Sequence, residues 1–450
     1  MPSQQRTFGH ASASLSKSTL ALLIGAALGL RLLLSPLGHP WDAHTWHNLL
    51  VELGQDRSPY DSGRSLSLRT RSGGNDAYYQ YFTYPPGLLY LYYPVGKFYA
   101  FLHPEATTSF ASPGTLLTTS LSWDFQVLFK APIWLADFGI LFLLLQMSGR
   151  QASQRYVLNP YVIFVSGVWF FDAIMVFFLL LGVYLFQRGH MFWSGAALAM
   201  GTLVKYVPVV AVPVLLIALI QARRPLRETV ALSGAFVLTC GLLLAPVWEG
   251  FVFMAGFQAS RVAAGMSWNS LWFFLATWFP QTPAFSRMYL LSGEVQNWLL
   301  PVGLLLAYLE LWRRPRSVEQ GVLIALLAYL VSTKVVNEVH PLVIVPFLLL
   351  VLAQQETSGG HTLYQLLWSI PLAWAFVFVP LSSFLLPFIG DINPSLASGL
   401  VRVTKLYPYY ELAPLLVLTG AAYSLLCLIA IRKMAQPLAQ TNVASSPSAS

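Results

Sequence analysis

Residues 230–247 read VALSGAFVLTCGLLLAPV, an apolar run without one charged side chain. A helix rises about 1.5 Å per residue, so roughly 20 such residues cross the hydrocarbon of a bilayer. Residues 20–34 and 133–146 are similarly apolar, and the whole 450-residue chain is 56% hydrophobic with only 10% charged residues. Soluble domains carry about a quarter. Barrel strands would alternate polar and apolar side chains, and these runs do not. The expected fold is therefore all-α, a polytopic bundle of transmembrane helices. Arg31 interrupts the first run and no small-residue cleavage site follows it cleanly, so that run is expected to stay as an anchor.

The net charge of +8 is not spread as a nucleic-acid stripe. Arg150 and Arg155, then Arg223, Arg224 and Arg227, then Arg313, Arg314 and Arg316, and finally Arg432 and Lys433 stand at the ends of apolar runs. This is the pattern of cytoplasmic loops. A threading of roughly twelve spans, the first at about 19–37 and the last at about 411–431, puts every group and both termini inside. Residues 1–18 and 434–450 read as disordered tails. Residues 19–354 read as a membrane catalytic module with a long external loop over 38–86, and 355–433 as further transmembrane helices. The aromatic stretch 85–102 is expected to lie at the interface or re-enter, because a full crossing would reverse the side of Arg150 and Arg155. Stretches 247–297 and 390–410 are expected to be external, the first as an aromatic lid or ledge. Cys240 and Cys427 fall in apolar runs and suggest no disulfide, metal knuckle or redox pair.

This threading gathers Asp42, His44, Asp56, Tyr84, Lys130, Asp172, Lys205, Arg261, Asn337, Glu338 and His340 at one face. A charge near hydrocarbon costs at least ~2.5 to 3.5 kcal/mol, so each one needs a reason. Lys130 and Asp137 share one helical face and read either as structural contacts or, for Lys130, as a partner for an anionic head group. Asp172 suits a helix N-cap; Lys205 suits a snorkelling lysine or a phosphate ligand. Lys334, Asn337, Glu338 and His340 crowd into one short stretch, STKVVNEVHP, with more polar variety than an end-cap needs. For Asp42 a solvated or capping role is the ordinary reading, yet Trp41, His44, Trp46 and His47 beside it offer the aromatic, hydrogen-bonding surface on which sugars stack. There is no P-loop, GxSxG or HExxH pattern.

Several stretches in this order resemble membrane-embedded glycosyltransferases of the GT-C superfamily, which use polyprenyl-phosphate sugars. They are Asp42, RSPY (57–60), TYPPG (83–87), KAPIWLAD (130–137), the Asn159-Pro160 segment ending in WFFDAI at 174, LVKYVP (203–208) and STKVVNEVHP (332–341). Phe170-Phe171 stand where family members often carry a polar pair. The resemblance implies transfer of a hexose, mannose favoured, from a polyprenyl-phosphate donor to a lipid-linked glycan, glycolipid or protein. It implies a site on the external face of the cell membrane, or on the luminal face of the endoplasmic reticulum. It makes Asp42 the base, with Lys205, Arg261 and Lys334 on the donor phosphate. His44, Tyr84, Lys130, Asp172, Asn337, Glu338 and His340 would bind substrate. No cofactor is required, no motif supports a metal, and the partners are lipids rather than nucleic acid. The alternative is a transporter or lipid flippase for a glycolipid or anionic substrate, which calls for polar residues at mid-membrane and helices broken in corresponding halves.

Overall fold

The computed structural model describes residues 17–60, 82, 84–107, 120–168, 171–260, 264–268, 270–354 and 360–435. It is built of helices, as expected. In chain order they are α1 (Lys17–Leu34), α2 (Pro40–Gly54), α3 (Pro86–Leu102), α4 (Trp123–Ser148), α5 (Arg150–Val157), α6 (Pro160–Val168), α7 (Asp172–Gln187) and α8 (Met191–Val204). There follow α9 (Ala211–Gln221), α10 (Leu226–Leu244), α11 (Trp248–Ser260), α12 (Ser270–Trp278), α13 (Pro283–Arg313) and α14 (Val318–Ser332). The chain ends with α15 (Val345–Gln354), α16 (Gly360–Phe378), α17 (Leu381–Ile392), α18 (Pro394–Lys405) and α19 (Tyr409–Ala435). Among the described residues the one strand pairing is parallel and two residues long, β1 (Ala264–Gly265) with β2 (Val335–Val336).

Length separates these helices into two kinds. Among the described residues, Trp123–Ser148, Leu226–Val252 and Pro414–Met434 are long and apolar enough to cross a membrane, and α16 with α17, bent by 63°, makes a fourth if the pair is one span. Six further apolar helices have only 10–17 residues, short of the ~20 a crossing needs. By length, then, three or four crossings stand where roughly twelve were expected. The apolar runs are cut by backbone breaks that hydropathy does not register. Phe171 is left-handed at φ 68° between α6 and α7, and Lys205 is extended after α8.

Stretches expected as loops are partly helical. Residues 40–54, inside the expected loop 38–86, form α2: Pro40 starts it, Asp42 favours its first turn, and Trp46, Leu49, Leu50 and Leu53 bury its inner face. Residues 61–81 and 83 of that loop lie outside the described residues. The 85–102 stretch is α3, which carries Pro94 within it. Stretch 247–297 holds α11, α12 and the start of α13, and 390–410 holds α18. Of the two expected tails, Lys17 and Ser18 belong to α1 and Met434 and Ala435 to α19; the remainder lies outside the described residues.

Buried polar contacts fasten the helices of this framework. Arg31 in α1 donates from Nε to Asp137 Oδ2 in α4 at 3.0 Å, and Tyr156 in α5 donates to Asp137 Oδ1 at 2.9 Å. Lys130, two turns from Asp137 on the same helical face, spends its ammonium on the carbonyls of Ser35 and Gly167, both at 2.7 Å, and of Leu37. It thereby ties the end of α1 to α6, and its three protons are all taken by backbone. Trp46 is wholly buried, with its ring 4.3 Å from Tyr92 and 5.9 Å from Phe129. It locks α2 onto α3 and α4, so Trp46 belongs to the core rather than to a sugar-stacking surface.

Candidate active site

Where α2, α3, α7 and α8 meet the β2 turn, four charged side chains converge. Asp42 lies in the first turn of α2, its carboxylate partly open to solvent. Its Oδ1 accepts a hydrogen bond from the Tyr84 hydroxyl at 3.1 Å, and its Oδ2 is 3.2 Å from His39 Nδ1. Burial lowers the His39 pKa below its ordinary value, with Asp42 opposing, so at neutral pH this is a neutral imidazole orienting a carboxylate. Tyr84 is itself held from behind, because its carbonyl accepts from the Tyr60 hydroxyl at 2.7 Å.

The approach of Tyr84 to this corner depends on a glycine. A Cβ on Gly87, in the first turn of α3, would stand 2.6 Å from the carbonyl carbon of Leu203 in α8. Only glycine permits that contact, and it places the Tyr84 segment beside Lys205, two residues beyond Leu203. Phe171 completes the wall. Its ring packs edge-on against Tyr84 at 4.6 Å and beneath Lys205 Nζ at 5.3 Å. Its left-handed backbone is costly for a bulky residue, and it turns the chain so that Asp172 starts α7.

Lys205 Nζ reaches Asp172 Oδ1 at 2.6 Å. Asp172 is 2% exposed and the Lys205 side chain 17%, so the acid is desolvated while the lysine keeps partial access to solvent. Asp172 does not serve as the N-cap of α7, since that position is Phe171. Glu338 lies beyond β2 on the turn into His340–Ile344 and is buried. Burial chiefly, with the like charges of Asp42 and Asp172, pushes its pKa up to about 7 against the opposing pull of its own backbone N–H and, more weakly, of Lys205. Its turn is fixed on two sides. Tyr161 of α6 donates to the Glu338 carbonyl, and Gly265, left-handed at φ 71°, lets β1 lie so close that a Cβ there would meet the Val336 carbonyl at 2.2 Å.

The expected residues thus divide. Asp42, Tyr84, Asp172, Lys205 and Glu338 are brought together. Asn337 and His340 share the Glu338 turn, where the Asn337 amide donates to His340 Nδ1 at 3.3 Å. His44 is fully buried in α2, its pKa lowered to about 4 by desolvation and by His47. Lys334 is bonded to Asn297 Oδ1 at 2.9 Å at an exposed position, Lys130 is structural, and Arg261 lies outside the described residues. Sequence reasoning missed His39, Phe171 and Tyr161. A signal for His39 existed in its spacing three before Asp42; Phe171 stood out only as an apolar residue in place of a polar one, and Tyr161 gave no signal.

The arrangement offers an oriented carboxylate facing solvent, a neighbouring ammonium, and a carboxyl that carries its proton for part of the time near neutral pH. These suffice to accept a proton, to bind an anion beside Lys205 and to donate a hydrogen bond. Among the described residues no group of three or more His, Cys, Asp and Glu side chains is set to hold a metal ion. No protein-family model matches this chain, and comparison with curated proteins found no match.

Proposed function

We propose that this chain is an integral membrane glycosyltransferase of GT-C type. It moves a hexose, mannose favoured, from a polyprenyl-phosphate donor to a lipid-linked glycan, glycolipid or protein on the external face. The observation that carries the reading is the convergence of Asp42, Asp172, Lys205 and Glu338, from four segments distant in sequence, around the Tyr84 and Phe171 rings. The twelve-span threading belongs to the same proposal, with the short helices contributing partial crossings that pack on protein.

In this mechanism Asp42 takes the proton of the acceptor hydroxyl while the acceptor oxygen bonds to the anomeric carbon. The bond from that carbon to the phosphate oxygen breaks, and the electron pair leaves with the polyprenyl phosphate. Lys205 stabilises the departing phosphate, its position set by Asp172. Attack opposite the leaving phosphate inverts the anomeric centre, as at inverting glycosidases. Glu338, protonated for part of the time near pH 7, donates to a sugar or phosphate oxygen, and Tyr84 and Phe171 give the sugar an apolar wall.

The test uses wild-type protein in nanodiscs, a panel of polyprenyl-phosphate hexoses and pentoses, and native lipid extract as acceptor. Sugar appearing on the acceptor with inverted configuration is expected. In sealed vesicles, movement of the intact donor across the bilayer with no transfer would instead establish the transporter reading.

A further inference from the structure

At the opposite end of α6 from Phe171 lies a cavity of about 440 Å³ between α5, α6 and α16. Nothing in the proposed transfer uses it. Its polar groups include Arg155, Gln365, His361 and Trp368, and Leu158 and Tyr364 give it apolar wall. Arg155 Nη1 donates to His361 Nδ1 at 3.2 Å, which fixes the imidazole proton on Nε2. Among the described residues no carboxylate pairs with the Arg155 guanidinium, which lines the cavity. The Trp368 indole N–H is a second donor: it is shielded from solvent and has no acceptor among the described residues. A buried donor without a partner is costly to desolvate, and an acceptor arriving from outside would satisfy it.

The wall itself is rigid. Asn159 caps α6 by accepting from the Tyr161 amide at 2.8 Å, and donates to the Tyr364 hydroxyl at 2.8 Å. The location is informative as well. Helix α5 begins at Arg150, directly after the candidate span Trp123–Ser148, which sets it and the cavity at the end of an apolar crossing, the level of a membrane surface. Leu158, which lines the cavity, remains exposed, so its mouth has an apolar margin.

We propose that this cavity binds a phosphate ester, and that the geometry favours the head group of a membrane lipid, with Arg155 and the Trp368 N–H on the phosphate oxygens and the acyl part leaving over Leu158. Guanidinium and indole N–H are both donors only, which selects an anionic oxygen over a neutral amine or an ammonium head. The site is separate from the Asp42 cluster and stands whether or not that cluster transfers sugar.

The test is native mass spectrometry of the full chain in detergent, titrated with phosphatidylglycerol and, as a phosphate-free control, diacylglycerol, with millimolar inorganic phosphate as competitor. Wild type is expected to retain phosphatidylglycerol in preference to diacylglycerol. Arg155→Gln should weaken that retention about tenfold, the scale of one lost charge-assisted contact. Trp368→Phe, which keeps the ring and removes only the N–H, should weaken it by a few-fold. Resistance to inorganic phosphate places the source in the bilayer; displacement by it keeps the phosphate chemistry and overturns the lipid assignment. Equal retention of diacylglycerol, or both variants binding as wild type does, overturns the site.

Discussion

Two groups of buried charge sit in this helical framework and are built on opposite plans. In the first, Arg31 meets Asp137, Tyr156 supplies the second hydrogen bond, and Lys130 gives its three protons to backbone carbonyls. Both cations there are fully buried and directed at groups of the protein itself. In the second, three carboxylates, Asp42, Asp172 and Glu338, share one nearby ammonium, Lys205, and Asp42 and Lys205 keep partial access to solvent. The lesson is that burial of a charge does not mark function in an apolar protein; an unbalanced group with an open side does. A closed set fastens helices, and an open one retains capacity for a proton or an anion.

The contrast predicts how each group breaks. The largest effect belongs to the closed set. Asp137→Ala leaves Arg31 as an unpaired buried charge and should cost about 3–5 kcal/mol, seen as loss of monodisperse protein and a sharp fall in melting temperature. A double change to Arg31→Met and Asp137→Leu should recover most of that loss; no recovery would mean that the pair does more than fasten α1 to α4.

Next comes the pH response of Glu338. Its ordinary value is 4.5 and its folded value about 7, so between these pH values the unfolded chain releases the proton before the folded one does. Stability therefore falls as pH rises through that window and levels above it, by on the order of 3 kcal/mol. Glu338→Gln should flatten the slope in melting curves taken from pH 4.5 to 8, and should raise stability at pH 8. An unchanged slope would remove Glu338 from the set of groups held partly neutral.

Smaller again is Gly87→Ala. Its methyl would collide with the Leu203 backbone, costing about 1–3 kcal/mol of strain. By pushing Tyr84 from Asp42, it should lower sugar transfer more than it lowers the melting temperature. A melting shift with full transfer would mean that the Tyr84 contact is dispensable.

How much of this was legible beforehand follows from what each signal measures. Hydropathy found the helical class, because apolar runs are additive along the chain. It did not find that α6, α7 and α8 are short, because their ends are set by backbone dihedrals at Phe171 and Lys205. It hid α2 inside a presumed loop, since that helix mixes His, Asp and Trp with its leucines and buries them against α3 and α4. The candidate site was legible as residue types, Asp42, Asp172, Lys205 and Glu338, since charge in an apolar chain stands out. Sorting them from Lys130 and Lys334 required distances: Lys130 ends on carbonyls and Lys334 on Asn297. Phe171 stood out only as an apolar residue in place of a polar one and Tyr161 carried no signal, as their roles are a backbone angle and one hydrogen bond to a carbonyl.

The most direct measurement is Asp42→Asn, followed for sugar transfer from polyprenyl-phosphate hexose in nanodiscs and for melting temperature on the same preparation. Asparagine keeps an acceptor for Tyr84 and removes one of the three crowded negative charges, so stability should stay within about 1 kcal/mol. Transfer should fall by a factor on the order of 10² to 10⁴, the usual contribution of a positioned base. Full transfer by the folded variant would contradict the assignment of Asp42 as the base and move the search to Asp172 and Glu338.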